Sequence, residues 1–385
     1  MGRAVVLSNF NLYNHIILKM SIPDASRISL VSEPSLENHD HEKANLALLL
    51  DRYKDRFTTL PNEKGWMSQT LYMYQGFWYP SENTFSIETT MALQDTFQAL
   101  STDIYLATQP KSGTTWIKAL VFAIVNRIRY NYDTTSTHPL LISNPHKCVP
   151  FIETEILSKT PTYDYAKAPR LFATHIPYTS LPQSILDAGC RIVYMCRNPK
   201  DVLVSWFHFA NKLSDKTRSQ MTIDEMFEVY SKGLMPYGPY WNHVKEYHKV
   251  SSEHPTRILF LTYEDMKIDT ANKVKRLAEF LGYPFTEEEE AKGTVEEIVK
   301  LCSFENLKEV NKNGDFREGI PNDTFFRAGK VGGWSSDLTT EMSQILDDIW
   351  IFHSNQVPVT NAKQNSAPFI LLFSNEFPIS SFFKD

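Results

Sequence analysis

A lysine and several hydroxyl side chains are clustered in the run Pro-Lys-Ser-Gly-Thr-Thr-Trp at residues 110–116, which could bind an anion. The apolar segment Ile104–Thr108 before this run predicts a buried strand, and Ile117–Val125 after it predicts a helix. A turn from a strand into a helix directs free backbone N–H groups and the positive end of the helix dipole at one point. Side-chain donors are added by Lys111, Ser112, Thr114 and Thr115. We therefore expect residues 111–115 to bind a phosphate or a sulfate.

The position of the lysine disfavours an ATP-dependent kinase or an ATPase. A Walker-type loop reads GxxxxGK[ST], with the lysine directly after the second glycine. Here Lys111 precedes Gly113, and no glycine lies at the upstream position. Trp116 ends the turn, and this motif alone leaves two equal roles for it, stacking on a purine or packing in the core.

A second strand-to-helix turn lies within Arg191–Trp206, where the strand runs into Arg197. Asn198 can cap the following helix with Pro199 at its first position, which places Arg197 beside a helix N-terminus. A magnesium-dependent nucleoside triphosphatase would need an aspartate at this strand end to hold the metal, whereas an arginine binds an anion directly. We therefore expect no metal and a ligand with two separate phosphate-like groups. The alternative is that Arg197 pairs with a structural carboxylate.

His175 directly follows a third strand-like run, Arg170–Thr174. A single histidine is usually structural. Beside two anion sites, however, a neutral imidazole is suited to removing a proton from an acceptor hydroxyl near pH 7. The glycine-rich run at 325–334 adds Arg327 and Lys330 and could close over a phosphate, but alone it is a weak signal.

Short strand-like runs alternate with helical segments along the middle of the chain. The strand candidates are Ile104–Thr108, Arg170–Thr174, Arg191–Cys196 and Arg257–Thr262. Thr222 and Glu225 form a capping-box pattern at the start of one helix, and Gly282 ends another. This alternation predicts an α/β fold with a mainly parallel sheet. Because chemically suggestive residues run from Lys111 to Lys330 with no linker between them, we expect a single domain.

The composition excludes several classes of protein. Of the 385 residues, 42% are apolar and 13% aromatic, which is enough for a large core. The formal net charge is -6, so the chain lacks the broad basic field that general binding to nucleic acid or anionic membranes requires. The four cysteines are widely spaced, which favours reduced thiols over a zinc site or a disulfide framework. With no apolar run of signal-peptide or transmembrane length, we expect a cytoplasmic protein that binds neither nucleic acid nor membrane.

Four motifs in this order resemble the plant-type cytosolic sulfotransferases that use 3′-phosphoadenosine 5′-phosphosulfate (PAPS), such as those acting on flavonols, hydroxyjasmonates and steroids. They are Pro-Lys-Ser-Gly-Thr-Thr-Trp at 110–116, Tyr-Met-Cys-Arg-Asn-Pro-Lys-Asp-Val at 194–202, Leu-Thr-Tyr-Glu-Asp-Met at 261–266 and Arg-Ala-Gly-Lys-Val-Gly-Gly-Trp at 327–334. The resemblance implies a P-loop-like central parallel sheet flanked by helices. It also implies a metal-free transfer of a sulfuryl group to a hydroxyl of a small, largely apolar acceptor.

The same resemblance implies roles for individual residues. Lys111 and His175 would be catalytic, with His175 as the general base. The PAPS-binding residues would be Lys111, Ser112, Gly113, Thr114, Thr115, Trp116, Arg197, Ser205, Tyr263, Phe304, Arg327, Ala328 and Gly329. Ser205 rests on resemblance only, because the capping argument for its helix does not reach it. The acceptor pocket is expected to include Phe77, Trp78, Tyr178 and Phe209.

Two departures from the family pattern keep a second function open. The family's Arg-Lys-Gly reads Arg-Ala-Gly here, so Ala328 stands where a positive charge is usual. The chain also runs on past the expected end. We predict a disordered leader at 1–47, a sulfotransferase domain at 48–348 and an atypical C-terminal extension at 349–385. The alternative function is therefore a catalytically impaired nucleotide-binding homologue, while the acceptor and the oligomeric state are not predicted.

Overall fold

A four-stranded parallel sheet is the centre of the fold. In this computed structural model, which describes residues 44, 47, 48, 51–65, 69–81, 84–130, 138–155, 169–213, 220–317 and 320–354, the sheet has the order β5-β4-β6-β7. Its strands are β4 (Ile104–Thr108), β5 (Leu171–Thr174), β6 (Arg191–Cys196) and β7 (Ile258–Thr262). The predicted bounds of β4 and β6 are confirmed, and β5 and β7 each start one residue later than expected. Arg170 and Arg257 still accept hydrogen bonds from the adjacent strands through their carbonyls.

An antiparallel hairpin sheet precedes the central sheet. It consists of β1 (Asn62–Lys64), β2 (Thr70–Tyr74) and β3 (Phe77–Pro80) in the order β1-β2-β3. The aromatic-rich segment of the sequence is thus a pair of strands, and two backbone hydrogen bonds of Trp78, with Tyr237 and Gly238, join it to the rest of the molecule. A short pair, β8 (Asp315–Arg317) and β9 (Ile320–Pro321), lies near the end of the described chain.

Helices pack around the central sheet. They are α1 (Ile87–Thr96), α2 (Thr114–Asn126), α3 (Pro145–Cys148), α4 (Ile152–Glu155), α5 (Gln183–Asp187), α6 (Pro199–Leu213), α7 (Ile223–Ser231), α8 (Tyr240–Glu253), α9 (Tyr263–Ile268), α10 (Thr270–Leu281), α11 (Glu287–Ala291), α12 (Thr294–Leu301), α13 (Phe304–Val310) and α14 (Thr340–Ser354), and residues 51–57 are also helical. Short 3-10 turns occur at Pro139–Leu141, Tyr178–Ser180, Asn322–Phe325 and Gly333–Ser336.

Three predicted helix boundaries are confirmed by their caps. The backbone N–H of Lys200 donates to Asn198 Oδ1 at 2.9 Å, so Asn198 caps α6 with Pro199 at its first position. Thr222 and its partner three residues on form the expected capping box of α7. Gly282 ends α10 in the left-handed region, with φ of 79°, where the absence of a Cβ removes the steric penalty.

Alternate residues of the strands face two hydrophobic cores, one on each side of the sheet. In β6, Tyr194 faces one core and Val193 the other, as the two-residue period of a strand requires. Helix α2 packs on the second side through its apolar stripe, which includes Leu120. Because both faces are covered, the strands are continuous apolar runs, and the α/β fold expected from them is confirmed.

The ends of the chain lie largely outside the described residues. The predicted leader falls there except for Ala44 and Ala47, which are helical. Helix α14 continues to Ser354, past the predicted end of the domain at residue 348, and Trp350 within it is buried. Residues 355–385 of the predicted extension are outside the described range. Among the helices that the structure does describe, none combines the length and the apolar character needed to cross a membrane.

Candidate active site

The carboxyl ends of the four parallel strands bring the predicted site residues to one edge of the sheet. Strand β4 is followed by the turn at 109–113, β5 by His175, β6 by Arg197 and β7 by Tyr263. These residues share a cavity of about 750 Å³. The other predicted residues on its wall are Lys111, Gly113, Thr114, Thr115, Trp116, Ser205, Phe304, Arg327, Ala328 and Gly329. Ser112 differs, since it is fully buried and does not line the cavity.

The turn after β4 has a backbone conformation that only a glycine-containing loop adopts easily. Lys111 and Gly113 have φ values of 72° and 104°. A Cβ on Gly113 would lie 2.6 Å from Met195 Cε and 2.9 Å from a ring carbon of Tyr263. No side chain caps the start of α2, which begins directly after this turn. The positive end of the helix therefore faces the cavity without a protein carboxylate or hydroxyl as its cap.

Lys111, Arg197 and Arg327 all line the cavity and repel one another. Burial, followed by the positive charges of Arg197 and Arg327, lowers the pKa of Lys111 to about 7. Burial and Arg197 likewise lower the pKa of Arg327. A bound anion would favour the protonated form of Lys111 and offset this repulsion. The electrostatics of the cavity therefore suit a ligand that carries negative charge.

Arg197 is held in place by protein groups but retains an unused donor. Its Nη2 donates to the carbonyl of Lys330 at 2.7 Å and lies 3.6 Å from Asp201 Oδ2. The Asp201 carboxylate itself accepts from the N–H groups of Gly332 at 2.9 Å and Trp334 at 3.0 Å. The Nε of Arg197 is buried without a hydrogen-bond partner in the described part of the protein. The carboxylate pairing expected of a purely structural arginine is present, and it leaves Nε for a ligand.

Aromatic rings form the side of the cavity next to these cations. Trp116 and Tyr263 meet edge to face, with their ring centroids 5.3 Å apart. The guanidinium carbon of Arg197 lies 4.6 Å from the centroid of Tyr263. Gly329 has φ of 62°, and a Cβ there would lie 2.5 Å from the ring of Phe304, so Gly329 allows the loop to pass close to that ring. Flat apolar walls beside cations suit a purine that bears phosphates.

Ala328 lines the cavity, but the nearest lysine along the chain does not. Lys330 is exposed and is absent from the cavity wall, and it meets Arg197 through its backbone carbonyl. The lysine side chain therefore adds no positive charge to the cavity surface in place of the one that Ala328 removes.

The ring of His175 is oriented by a hydrogen bond of its Nδ1. Its Nδ1 lies 2.7 Å from the carbonyl oxygen of Thr108, and a carbonyl can only accept, so Nδ1 carries the hydrogen. Burial lowers the pKa of His175 to about 3, which keeps the ring neutral at physiological pH. In this tautomer Nε2 has the lone pair of a base. The ring packs among Phe85, Phe151 and Tyr237.

Glu153 positions the backbone on which His175 stands. The fully buried Oε1 of this glutamate accepts from the N–H of His175 at 2.8 Å and from the Thr174 hydroxyl at 3.0 Å. Burial raises the pKa of Glu153 to about 7. Sequence reasoning missed it, because Glu153 belongs to the short helix α4, whose four residues have no periodic pattern.

The acceptor side of the cavity differs from the expectation. Of the four aromatic residues expected there, Phe209 lines the cavity, and the other three, Phe77, Trp78 and Tyr178, do not. Phe77 of the hairpin is buried against His243 of α8, and Tyr178 packs on Tyr247. Their places are taken by Phe85, Phe151, Tyr237 and Phe325. Aromatic composition alone did not show which rings turn toward the site.

These features define an α/β protein with a P-loop-like architecture and an anion-binding cavity at the carboxyl edge of its sheet. The family model for the sulfotransferase domain matches residues 101–355, and the chain belongs to the sulfotransferase family. It is 44% identical to cytosolic sulfotransferase 12 of Arabidopsis thaliana over 75% of this chain and 88% of that protein. Flavonol 4′-sulfotransferase of Flaveria chlorifolia is 45% identical over 73% of this chain and 87% of that protein.

Solved structures agree with the fold. A putative steroid sulphotransferase of Arabidopsis thaliana superimposes with a TM-score of 0.62 at 37% identity, covering 80% of this chain and 94% of that one. A mouse sulfotransferase crystallised with PAP superimposes with a TM-score of 0.55 at 26% identity, covering 74% of this chain and 94% of the mouse chain. PAP is adenosine 3′,5′-bisphosphate, which is PAPS without its sulfuryl group. The expected sulfotransferase fold is thereby confirmed.

Proposed function

We propose that this sulfotransferase moves the sulfuryl group of PAPS to a hydroxyl of a small, largely apolar metabolite in the cytoplasm. The observation that carries the proposal is the convergence of Lys111, Arg197 and Arg327 on one cavity that is also lined by His175, a neutral imidazole whose Nε2 is unprotonated. The PAP in the mouse structure and the names of the cytosolic plant relatives support the same assignment.

The residues present fit PAPS. Its anionic groups match a cavity lined by Lys111, Arg197 and Arg327, whose mutual repulsion an anion would relieve. The turn at 111–115 would hold the 5′-phosphosulfate. The 3′-phosphate would be held by Arg197, Ser205 and the loop at 327–329, where the buried Nε of Arg197 provides a donor. The adenine would lie among Trp116, Tyr263 and Phe304.

The cavity residues can perform the transfer as follows. PAPS, when bound, supplies a sulfuryl group attached to a good leaving group. The Nε2 of His175 accepts the proton of the acceptor hydroxyl, while the Thr108 carbonyl holds Nδ1–H and stabilises the imidazolium that forms. The Lys111 ammonium is fully charged beside an anion. It stabilises the negative charge that develops on PAP as it leaves. Positioning and electrostatics thus account for the rate enhancement.

The acceptor is proposed from the wall around His175. Phe85, Phe151, Phe209 and Tyr237 surround the histidine with aromatic surface, which suits a flat or bulky apolar molecule with one reactive hydroxyl. Flavonols, hydroxyjasmonates and steroids have this character. The flavonol and steroid descriptions of two relatives favour testing those classes first.

Transfer from labelled PAPS to a panel of hydroxylated flavonols, jasmonates and steroids tests the proposal. We expect at least one acceptor to be sulfated, and His175→Ala to abolish turnover while leaving the affinity for PAP unchanged, because the histidine contacts the acceptor and not the nucleotide. Near-normal turnover of His175→Ala would contradict its role as the base.

Ala328 favours a second candidate, the catalytically impaired nucleotide-binding homologue. In that case PAP would raise the melting temperature of the protein, but no acceptor in the panel would be sulfated. The two candidates are therefore separated by the transfer assay and not by nucleotide binding.

A further inference from the structure

Lys118 is a fully buried lysine that the transfer mechanism leaves without a role. It lies in α2, three residues after Thr115, so the two side chains share a face of the helix. Its Nζ is 3.1 Å from Nδ1 of His146 and 3.3 Å from the ring centroid of Phe151. A lysine is almost never fully buried unless it is paired. Burial lowers the pKa of Lys118 well below its usual value, the charge of Glu153 opposes that shift, and the hydrogen bond of Nζ goes to a histidine.

His146 connects Lys118 to the anion-binding turn. Its Nε2 lies 3.0 Å from Oγ1 of Thr115, and its ring is stacked on Phe151 with an interplanar angle of 18°. Both His146 and Thr115 line the cavity. Lys118, His146 and Thr115 therefore form a chain of hydrogen bonds that starts in the core and ends at the cavity wall.

The chain has a direction. In its protonated form, which the Glu153 carboxylate favours, the Lys118 amino group can only donate, so Nδ1 of His146 is the acceptor and the other ring nitrogen of a neutral imidazole carries the hydrogen. Burial and the charge of Lys118 lower the pKa of His146 well below its usual range, which keeps the ring neutral. Nε2–H then donates to the Thr115 oxygen, and the hydroxyl hydrogen of Thr115 is directed away from His146.

We propose that Lys118 is a positioning residue for the reaction, which acts through His146 to hold the Thr115 hydroxyl as a hydrogen-bond donor to the anionic group in the cavity. The inference rests on the proposed function, since it requires an anion at the turn. Without the relay, the Thr115 hydroxyl can donate to His146 instead and turn a lone pair toward the anion, which is repulsive.

A double-mutant cycle with PAP as the ligand tests the relay. We expect Lys118→Met and Thr115→Val each to weaken PAP binding about tenfold, the scale of a hydrogen bond to a charged group. Combined with Thr115→Val, Lys118→Met should cause little further loss, because both changes remove one interaction. Equal losses in both backgrounds, measured by calorimetry, would overturn the proposal.

The ring nitrogens of His146 give a second measurement that needs no nucleotide. In ¹⁵N NMR spectra of the wild-type protein we expect the Nε2–H tautomer, and in Lys118→Met a shift toward Nδ1–H. An Nδ1–H tautomer in the wild type would overturn the relay even if PAP binds. Failure of the wild type to bind PAP, by contrast, would overturn the proposed function, so the two failures are distinguishable.

Arg127, at the C-terminal end of α2, provides a matched control. It is also buried, and it donates to the carbonyls of Tyr283 at 2.9 Å and Pro284 at 2.7 Å, away from the cavity. Arg127→Met should lower the melting temperature without changing PAP affinity, and Lys118→Gln, which retains an N–H donor, should keep affinity within about threefold. Equal weakening of PAP binding by Arg127→Met and Lys118→Met would show that Lys118 acts only on stability and would overturn the proposal.

Discussion

The two strand-to-helix turns of the cavity offer different groups to a ligand. The turn after β4 presents backbone and helix N-terminus to the cavity, with Lys111 and Gly113 at positive φ. In the turn after β6, backbone N–H groups already donate to side chains of the protein. The N–H of Arg197 donates to the Tyr240 hydroxyl at 3.0 Å and that of Asn198 to Glu264 Oε1 at 2.9 Å. Among the groups that the structure describes in that turn, the guanidinium of Arg197 retains a donor, Nε, for a ligand.

This difference indicates a division of labour. A guanidinium keeps its charge at any physiological pH and suits a phosphate group that does not change during the reaction. An uncapped helix start with a lysine whose pKa is near 7 responds to charge in the cavity. The first turn thus suits the phosphosulfate that reacts, and the second suits the phosphate that does not change during the reaction.

The largest expected effect is a loss of turnover in a variant of the first turn, in contrast to a loss of PAP affinity in a variant of the second. Lys111→Met should lower kcat by about 10²–10³-fold, because it removes a group that stabilises the charge formed in the transition state. Arg197→Met should instead weaken PAP binding by about 10- to 100-fold, as for the loss of a hydrogen bond to a charged group, with a smaller effect on kcat. Steady-state kinetics and calorimetry on both variants measure this. The same ratio of kcat loss to affinity loss in the two variants would contradict the division.

Above pH 7, the pH dependence of PAP binding should come from Lys111 in the first turn. The free-protein pKa of Lys111 is about 7 and an anion raises it, so above pH 7 binding requires proton uptake. Affinity should therefore fall by up to about tenfold per pH unit above pH 7, where the free protein loses the Lys111 proton. In Lys111→Arg, which stays charged, the slope should disappear. Calorimetry between pH 6 and 9 checks both proteins, and a slope that persists in the arginine variant would refute the assignment to Lys111.

The smallest effect concerns the backbone of the first turn. Gly113→Ala combines a positive φ with contacts to Met195 and Tyr263, so we expect it to lower the free energy of unfolding by about 1–3 kcal/mol and to weaken PAP binding. Gly189→Ala is the control, because Gly189 has φ of 73° but open space around it. It should cost about 1 kcal/mol or less and leave affinity unchanged. Urea unfolding of both variants measures the difference, which should vanish if the close contacts are unimportant.

The structure also shows which residues pattern reasoning could find. Lys111, His175 and Arg197 each follow directly on an apolar run, and parallel strands place such residues at one edge, so their meeting was predictable. His146, Lys118 and Glu153 were not. Two of them come from the short helices α3 and α4, and Lys118 lies within a helix whose other residues are mostly apolar.

The chemistry of the turn at 110–116, the alternation of strand and helix and the caps of the helices are local properties, and the order of residues determined them because each depends on neighbours within a few positions. The walls of the cavity were decided by tertiary structure. Phe151 faces His175 while Phe77 is turned into the main core beside His243, and both are aromatic residues in apolar surroundings. Which side a ring faces depends on contacts between segments far apart in the chain, and the folded packing alone establishes those contacts.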